Sequence, residues 1–263
     1  SPSCRSHPIP GDDLRYEPYL RYAYDSGTAA GVAERDALLH GLLEVVERDA
    51  LSHAFLDWYL DGESPLSVLD PGLLPLDLRH LHGEVAAQLG TPPLVVDITS
   101  DLGIPTYCAL PSRAGPYPGV IGSGASLDPE YAVERALTEV VQSSFNLSLG
   151  VDLTLGRRLE SLRRWPLLER CARLDPAPLI GRLVFDARLP AAGPEGVDEQ
   201  VAVILETLER SGFAAYFFRW NPAHDRCPVL TVIVPGLETF SMVHSAVPVL
   251  PTGRAVRRLA GHR

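Results

Sequence analysis

The positions at which apolar residues recur divide the chain into helical and extended segments. Leu38, Leu39, Leu42, Leu43, Val45 and Val46 recur at helical spacing and predict a long helix over about Val32–Leu60. A shorter helix is predicted around Arg79–Leu89, closed by Gly90 as C-cap. LVVDITS at 94–100 is a β-branched apolar run and predicts a buried strand, with a second strand near Thr106–Leu110 after a turn. GVIGSGASLDP at 119–129 reads as a glycine-rich loop. It opens a second long helix over about Pro129–Leu149, with Asp128 as N-cap and Pro129 in the first turn. Residues 150–200 are weakly patterned. A third helix over about Gly196–Arg210 and strands at 213–220 and 229–236 follow. Residues 1–25 are rich in Pro and Tyr and read as an irregular lead-in with one short strand near Tyr22. The order of elements predicts an α+β fold, a mixed or antiparallel sheet layered with long helices.

The first helix has an unusual polar face. Asp36, His40, Glu44 and Glu47 fall within roughly 80° of one another around the axis. An exposed helix commonly pairs Glu with Lys or Arg four residues on. Here three carboxylates and an imidazole form one file, with Arg48 at its edge. Such a file repels itself unless a metal ion or an arginine from another element lies against it. The plainer alternative is a solvated face. On the second helix Glu130, Glu134, Thr138 and Gln142 recur every four residues, with Arg135 and Glu139 beside them.

Composition narrows the functions available. With 263 residues and 46% hydrophobic content, the chain can bury a sizeable core as one large domain or two small ones. The net charge of −10 argues against a sequence-independent grip on nucleic acid or on an anionic membrane. All 23 basic residues are Arg, which excludes a Walker lysine, a Schiff-base lysine and a lysine general base. Cys4, Cys108, Cys171 and Cys227 form no C-x-x-C pair and read as buried thiols of a reducing compartment. No signal peptide or apolar run of membrane-spanning length is present, so a cytoplasmic protein is expected.

The chemical motifs carry unequal weight. Asp36, His40, Glu44 and Glu47 are candidate magnesium or Mg-nucleotide ligands, because oxygen donors suit magnesium and one neutral imidazole does not spoil the set. Zinc is disfavoured: no H-E-x-x-H and no second His/Cys cluster accompany them. GSGAS at 122–126 could cradle phosphate at a helix start, but it matches neither G-x-x-x-x-G-K-[ST] nor G-x-G-x-x-G, and a tight turn is the better reading. No G-x-S-x-G elbow marks a serine nucleophile.

Four stretches taken together resemble the YcaO family. SGTAAGVAERDALLHGLLEVVERDA is similar to the family's segment of a small-residue loop, an acidic residue, Gln or His, and E-x-x-E-R on one helix. VVDITSDLGIPTYCAL resembles the strand–turn–strand that follows, GSGASLDPEYAVERALTEVVQSSFN the helix with its R-A-L-T-E-x-x-Q core, and VLTVIVPGLE the late strand. The four occur in the expected order over residues 26–238.

The resemblance implies ATP and Mg2+ as cofactors. It also implies O-phosphorylation of backbone amides in a ribosomally synthesised precursor peptide, giving an azoline, a thioamide or an amidine according to the nucleophile. By the same resemblance Asp36, His40, Glu44 and Glu47 would line the magnesium–triphosphate site. Arg48 would lie near phosphate, and Arg135, Glu139 and Gln142 would support the site from the second helix. A TfuA-like or an E1-like (ocin-ThiF-like) partner protein and a homodimer fit the same resemblance. The family's earlier G-K-G turn and Ser/Glu/Glu/Arg helix are absent from the 263 residues. Residues 26–263 are therefore expected to form a YcaO-like domain without that motif region: the C-terminal portion of a domain, a split subunit or a degenerate copy. VPVLPTGR only faintly echoes the P-x-P-x-P tail of azoline-forming members and leans toward thioamide-type or standalone members. The competing class is a non-catalytic subunit that binds precursor peptide or a partner enzyme; an unrelated metal-dependent hydrolase is disfavoured by the ordered motifs.

Overall fold

The structure is a computed structural model that describes residues 26–62, 64–113, 119–149, 155–220, 226–251 and 254–256. The expected lead-in, with its strand near Tyr22, and Cys4 lie outside the described residues. Strand β1 (Thr28–Ala30) leads into helix α1 (Glu34–Phe55), whose last turn widens into a π-helical stretch over Leu56–Asp61 and stops at Gly62. Strand β2 (Leu66–Leu69), helix α2 (Leu76–Leu89) and strands β3 (Pro93–Asp97), β4 (Thr106–Pro111) and β5 (Gly122–Ala125) follow. Helix α3 spans Pro129–Ser148. Short helices α4 (Leu155–Leu162), α5 (Pro166–Arg173) and α6 (Ala177–Ile180) lead to strand β6 (Leu183–Ala187). Helix α7 (Val197–Arg210) and strands β7 (Tyr216–Arg219) and β8 (Val229–Ile233) complete the fold.

Two sheets result. One has the order β1-β8-β7 and is antiparallel throughout. The other has the order β5-β4-β3-β2-β6, antiparallel except for the parallel pairing of β2 with β6. The α+β expectation, a mixed and antiparallel sheet layered with long helices, is met. The weakly patterned stretch at 150–200 holds three short helices and an edge strand, because its apolar residues are too few to mark a period but enough to seal the core with Leu159, Leu162, Leu168 and Leu179.

Helix α1 belongs to both cores. Its first half packs Ala37, Leu38, Leu42 and Val46 against Leu230 and Val232 of β8 and against Ile204 and Leu208 of α7. Its second half packs Ala50, Leu51, Ala54 and Phe55 against Leu94, Val96, Cys108 and Leu110 of the larger sheet. Covered by different layers along its length, α1 buries polar residues too: Glu47, Asp49, Ser52 and His53. Each buried polar group then requires a partner, since an unpaired one costs about 1–3 kcal/mol.

The glycine-rich segment is a strand, not the expected turn. A Cβ on Gly122 would stand 2.2 Å from the backbone oxygen of Ala136, and one on Gly124 would stand 2.3 Å from that of Ala132. The two glycines let β5 lie flush on α3, where no side chain fits between strand and helix. At the start of α3 the Asp128 carboxylate accepts from the Glu130 and Tyr131 amides, the cap the sequence predicts.

Candidate functional site

The file on α1 borders an open pocket of about 50 Å³ lined by His40, Leu43, Glu44, Glu47, Ala125, Tyr131 and Arg135. Helix α1 supplies the carboxylates, β5 the floor and α3 the opposite wall. The two long helices do not meet face to face at the site; β5 lies between them. Ser123 spans the gap: its hydroxyl donates to Glu47 Oε1 at 2.7 Å, and its amide donates to Glu139 Oε2 at 2.8 Å. Glu139 thus reaches the site from α3 by way of the strand.

Two arginines offset the carboxylates. Arg48 lies 3.9 Å from Glu44 and 3.9 Å from Glu47, so its guanidinium reaches both carboxylates from the edge of the file. Arg135 faces the same pocket from α3. Burial pushes the Glu44 carboxyl upward, Arg48 pulls it back and Glu47 pushes it up again. Glu139 is raised in the same way, first by burial and then by Glu47, against the Ser123 amide and the two arginines. Burial disfavours the Arg48 charge, but Glu47, Glu139 and Glu44 together hold its pKa above the usual value. Burial and the Arg135 charge lower His40, so its imidazole is neutral near pH 7.

Not every predicted site residue reaches the pocket. The Asp36 carboxylate accepts from the Ala33 amide at 2.8 Å and closes the first turn of α1. The file rises about 16 Å from Asp36 to Glu47, too far for one ion to touch all four side chains. Among the described residues, no three His, Cys, Asp or Glu side chains converge as a ready metal site. Gln142 is exposed on α3 and is not among the pocket residues. Sequence reading missed Ser123, because a serine between two glycines signals a loop when the helix packed on it is not visible. It also missed a second buried cluster. Asp49 accepts from the Glu238 amide at 2.7 Å and from Arg254, which also bonds Asp101 at 3.2 Å and His53 at 3.0 Å.

His244 stands behind Arg48 and bonds the Gly119 carbonyl at 2.7 Å through Nε2. Burial lowers its pKa, and the Arg48 charge lowers it further. A group whose pKa is depressed on folding contributes stability above its unfolded pKa, and that stability is lost as pH falls through the folded value. Urea midpoints should therefore fall as pH drops below about 6.5, and His244→Gln should flatten that part of the profile. An unchanged slope in His244→Gln would assign the acid sensitivity elsewhere.

The donor set fits a nucleotide-borne magnesium better than a bare ion. Magnesium is held by one or two carboxylates with substrate phosphates completing its octahedron; here the Glu44, Glu47 and Glu139 carboxylates all act on Arg48, and Arg135 lines the same pocket. The family model described as YcaO cyclodehydratase, ATP- and Mg2+-binding, matches residues 5–238, and the chain belongs to that family. ATP and Mg2+ are the cofactors this membership assigns. An uncharacterised protein of Methanothermobacter thermautotrophicus is 31% identical over 223 residues, covering 82% of this chain and 56% of the relative. An uncharacterised protein in the tfuA 3′ region of Rhizobium leguminosarum bv. trifolii is 29% identical, covering 81% of this chain and 52% of the relative. The chain thus spans about half the length of these relatives. Among solved structures, a heterocyclase in complex with substrate and cofactor superposes with a TM-score of 0.63 at 23% identity, covering 88% of this chain and 33% of that one. The YcaO protein of Methanopyrus kandleri, bound with AMPPCP and Mg2+, gives 0.61 at 24% identity, covering 94% and 63%. Both share the fold. No described helix is long and apolar enough to cross a membrane.

Proposed function

We propose that the chain provides the metal and phosphate end of an ATP-dependent enzyme that O-phosphorylates backbone amides of a ribosomally synthesised precursor peptide, giving an azoline or a thioamide. The observation that carries this reading is the joining of two acidic helices through Ser123, with Arg48 and Arg135 beside the carboxylates. Bound Mg-ATP would supply a phosphoryl group to the amide oxygen, turning that oxygen into a leaving group. Glu47 and Glu139, the pair joined by Ser123, would hold the metal, with Glu44 and His40 beside them. Arg48 and Arg135 would balance phosphate charge, and Tyr131, about half exposed at the rim, would limit water. Asp36 would serve the first turn of α1, where its carboxylate accepts from the Ala33 amide, and would take no part in the site.

A second reading, a split subunit or a non-catalytic subunit that binds precursor peptide or a partner enzyme, draws on the size of the pocket. The pocket measures about 50 Å³, against roughly 300 Å³ or more for a cleft that encloses a drug-sized ligand. The described residues would then enclose only part of a nucleotide, and other residues would wall the rest. A TfuA-like partner is favoured over an E1-like one by the relative named for the tfuA 3′ region. A homodimer and a cytoplasmic setting complete the proposal. Mass spectrometry of a precursor peptide incubated with the chain, its partner polypeptide, ATP and Mg2+ tests it. Loss of one water marks azoline formation, and exchange of oxygen for sulfur marks a thioamide. An unmodified peptide with no ATP consumed would leave the chain a binding subunit.

A further inference from the structure

The Gly-Ser-Gly of β5 is too tightly built for a passive floor. Its glycines face α3, where a Cβ would enter the helix backbone, so strand and helix backbones lie in close contact. Strand side chains alternate, and the hydroxyl of Ser123 accordingly reaches the other helix. The residue is buried, yet both its donors act on acidic groups: Oγ–H on Glu47 of α1 and N–H on Glu139 of α3. Each bond is charge-assisted and short, the class that fixes geometry most strongly. Glu47 is itself buried, and among the described residues Ser123 is the hydrogen-bond donor to its carboxylate, with Arg48 3.9 Å away.

We infer that Ser123 is a positioning residue that sets the separation of the Glu47 and Glu139 carboxylates and so shapes the place where they meet a nucleotide-borne divalent cation. The inference rests on the metal–phosphate reading of the pocket. Ser123 does not touch the cation; it holds Glu47 against β5 and, through the strand, in register with α3. A structural role alone would use the serine to fill space between helices. Cysteine fills nearly the same space but donates poorly, so the two roles separate.

The test follows Mn2+ binding in the presence of ATP by electron paramagnetic resonance, on the chain combined with a polypeptide that supplies the rest of the nucleotide site, with thermal unfolding of the chain alongside. Ser123→Ala and Ser123→Cys should each bind Mn-ATP about tenfold more weakly, with Ser123→Cys keeping the parent unfolding midpoint. In a Glu47→Gln background Ser123→Ala should cost nothing further, since the carboxylate it positions is gone. Parent-like affinity in Ser123→Ala overturns the inference. So does parent-like affinity in Ser123→Cys, whether or not Ser123→Ala folds, because volume alone would then suffice. An undiminished loss in the Glu47→Gln background also overturns it. A parent pair that takes up no Mn-ATP at all removes the metal–phosphate reading as well, and that outcome is visible before any variant is made.

Discussion

Glu47→Ala, in the chain combined with a polypeptide that supplies the rest of the nucleotide site, is expected to weaken Mg-ATP binding by about a hundredfold or more. The carboxylate is 5% exposed, accepts from Ser123 and faces the pocket beside Arg48. Its removal takes away one proposed metal ligand and leaves Arg48 with fewer counter-charges. Charge-assisted interactions contribute roughly 1.5–3 kcal/mol each, and two of them amount to about two orders of magnitude or more in affinity. Glu44→Ala should act in the same direction, because its carboxylate shares the pocket and the Arg48 contact. Glu130→Ala, exposed in the first turn of α3, should change little. Calorimetry with Mg-ATP decides the matter. The lone chain should bind weakly, and the combined pair should recover. A pair that binds Mg-ATP normally with Glu47→Ala would make the acidic file a structural feature of α1.

Much of this site was legible in residue spacing. Glu44 and Glu47 are three apart, so any helix carries them on one face. Arg135 and Glu139 are four apart on α3 and share a face for the same reason. Periodicity leaves undetermined which residues along a face reach a common point. Asp36 has the right angle around α1 but lies at its first turn, where the orphan amides of a helix start compete for its carboxylate. Gln142 lies beyond Glu139 and is exposed. Arg48 lies at the margin by angle, and angular position does not say that its long guanidinium side chain reaches Glu44 and Glu47.

The fold was legible where one period dominates. Helices α1, α2, α3 and α7 and strands β3 and β4 fall close to their predicted bounds, each marked by its run or period of apolar residues. The short strands β1 and β2 were not found, because three or four residues do not establish a period of two. Strand β5 was misread for a more specific reason. Glycine in a lone sequence signals a turn; here it marks contact between a strand and a helix that begins seven residues after the first of the pair.

The second large effect concerns stability rather than binding. Asp49→Ala is expected to destabilise the fold by about 3–5 kcal/mol, the range for breaking a buried ion pair from one side. Asp49 is 0% exposed and receives both the Glu238 amide and the Arg254 guanidinium, which ties the chain after β8 to the middle of α1. Burial raises its pKa to about 6, and the Glu238 amide and Arg254 resist that rise. Removal of the carboxylate leaves Arg254, which also packs 5.3 Å from the Phe213 ring centre, as a largely buried cation whose remaining side-chain partners among the described residues are His53 and the exposed Asp101. Asp49→Asn should cost less, because the amide can still accept from Glu238. The double change Asp49→Ala with Arg254→Met should recover part of the loss, since no uncompensated charge then remains. Urea denaturation monitored by circular dichroism measures all three. Equal losses in Asp49→Ala and in the double variant would show that the cost lies in the Glu238 amide bond, and the ion pair would then contribute nothing of its own.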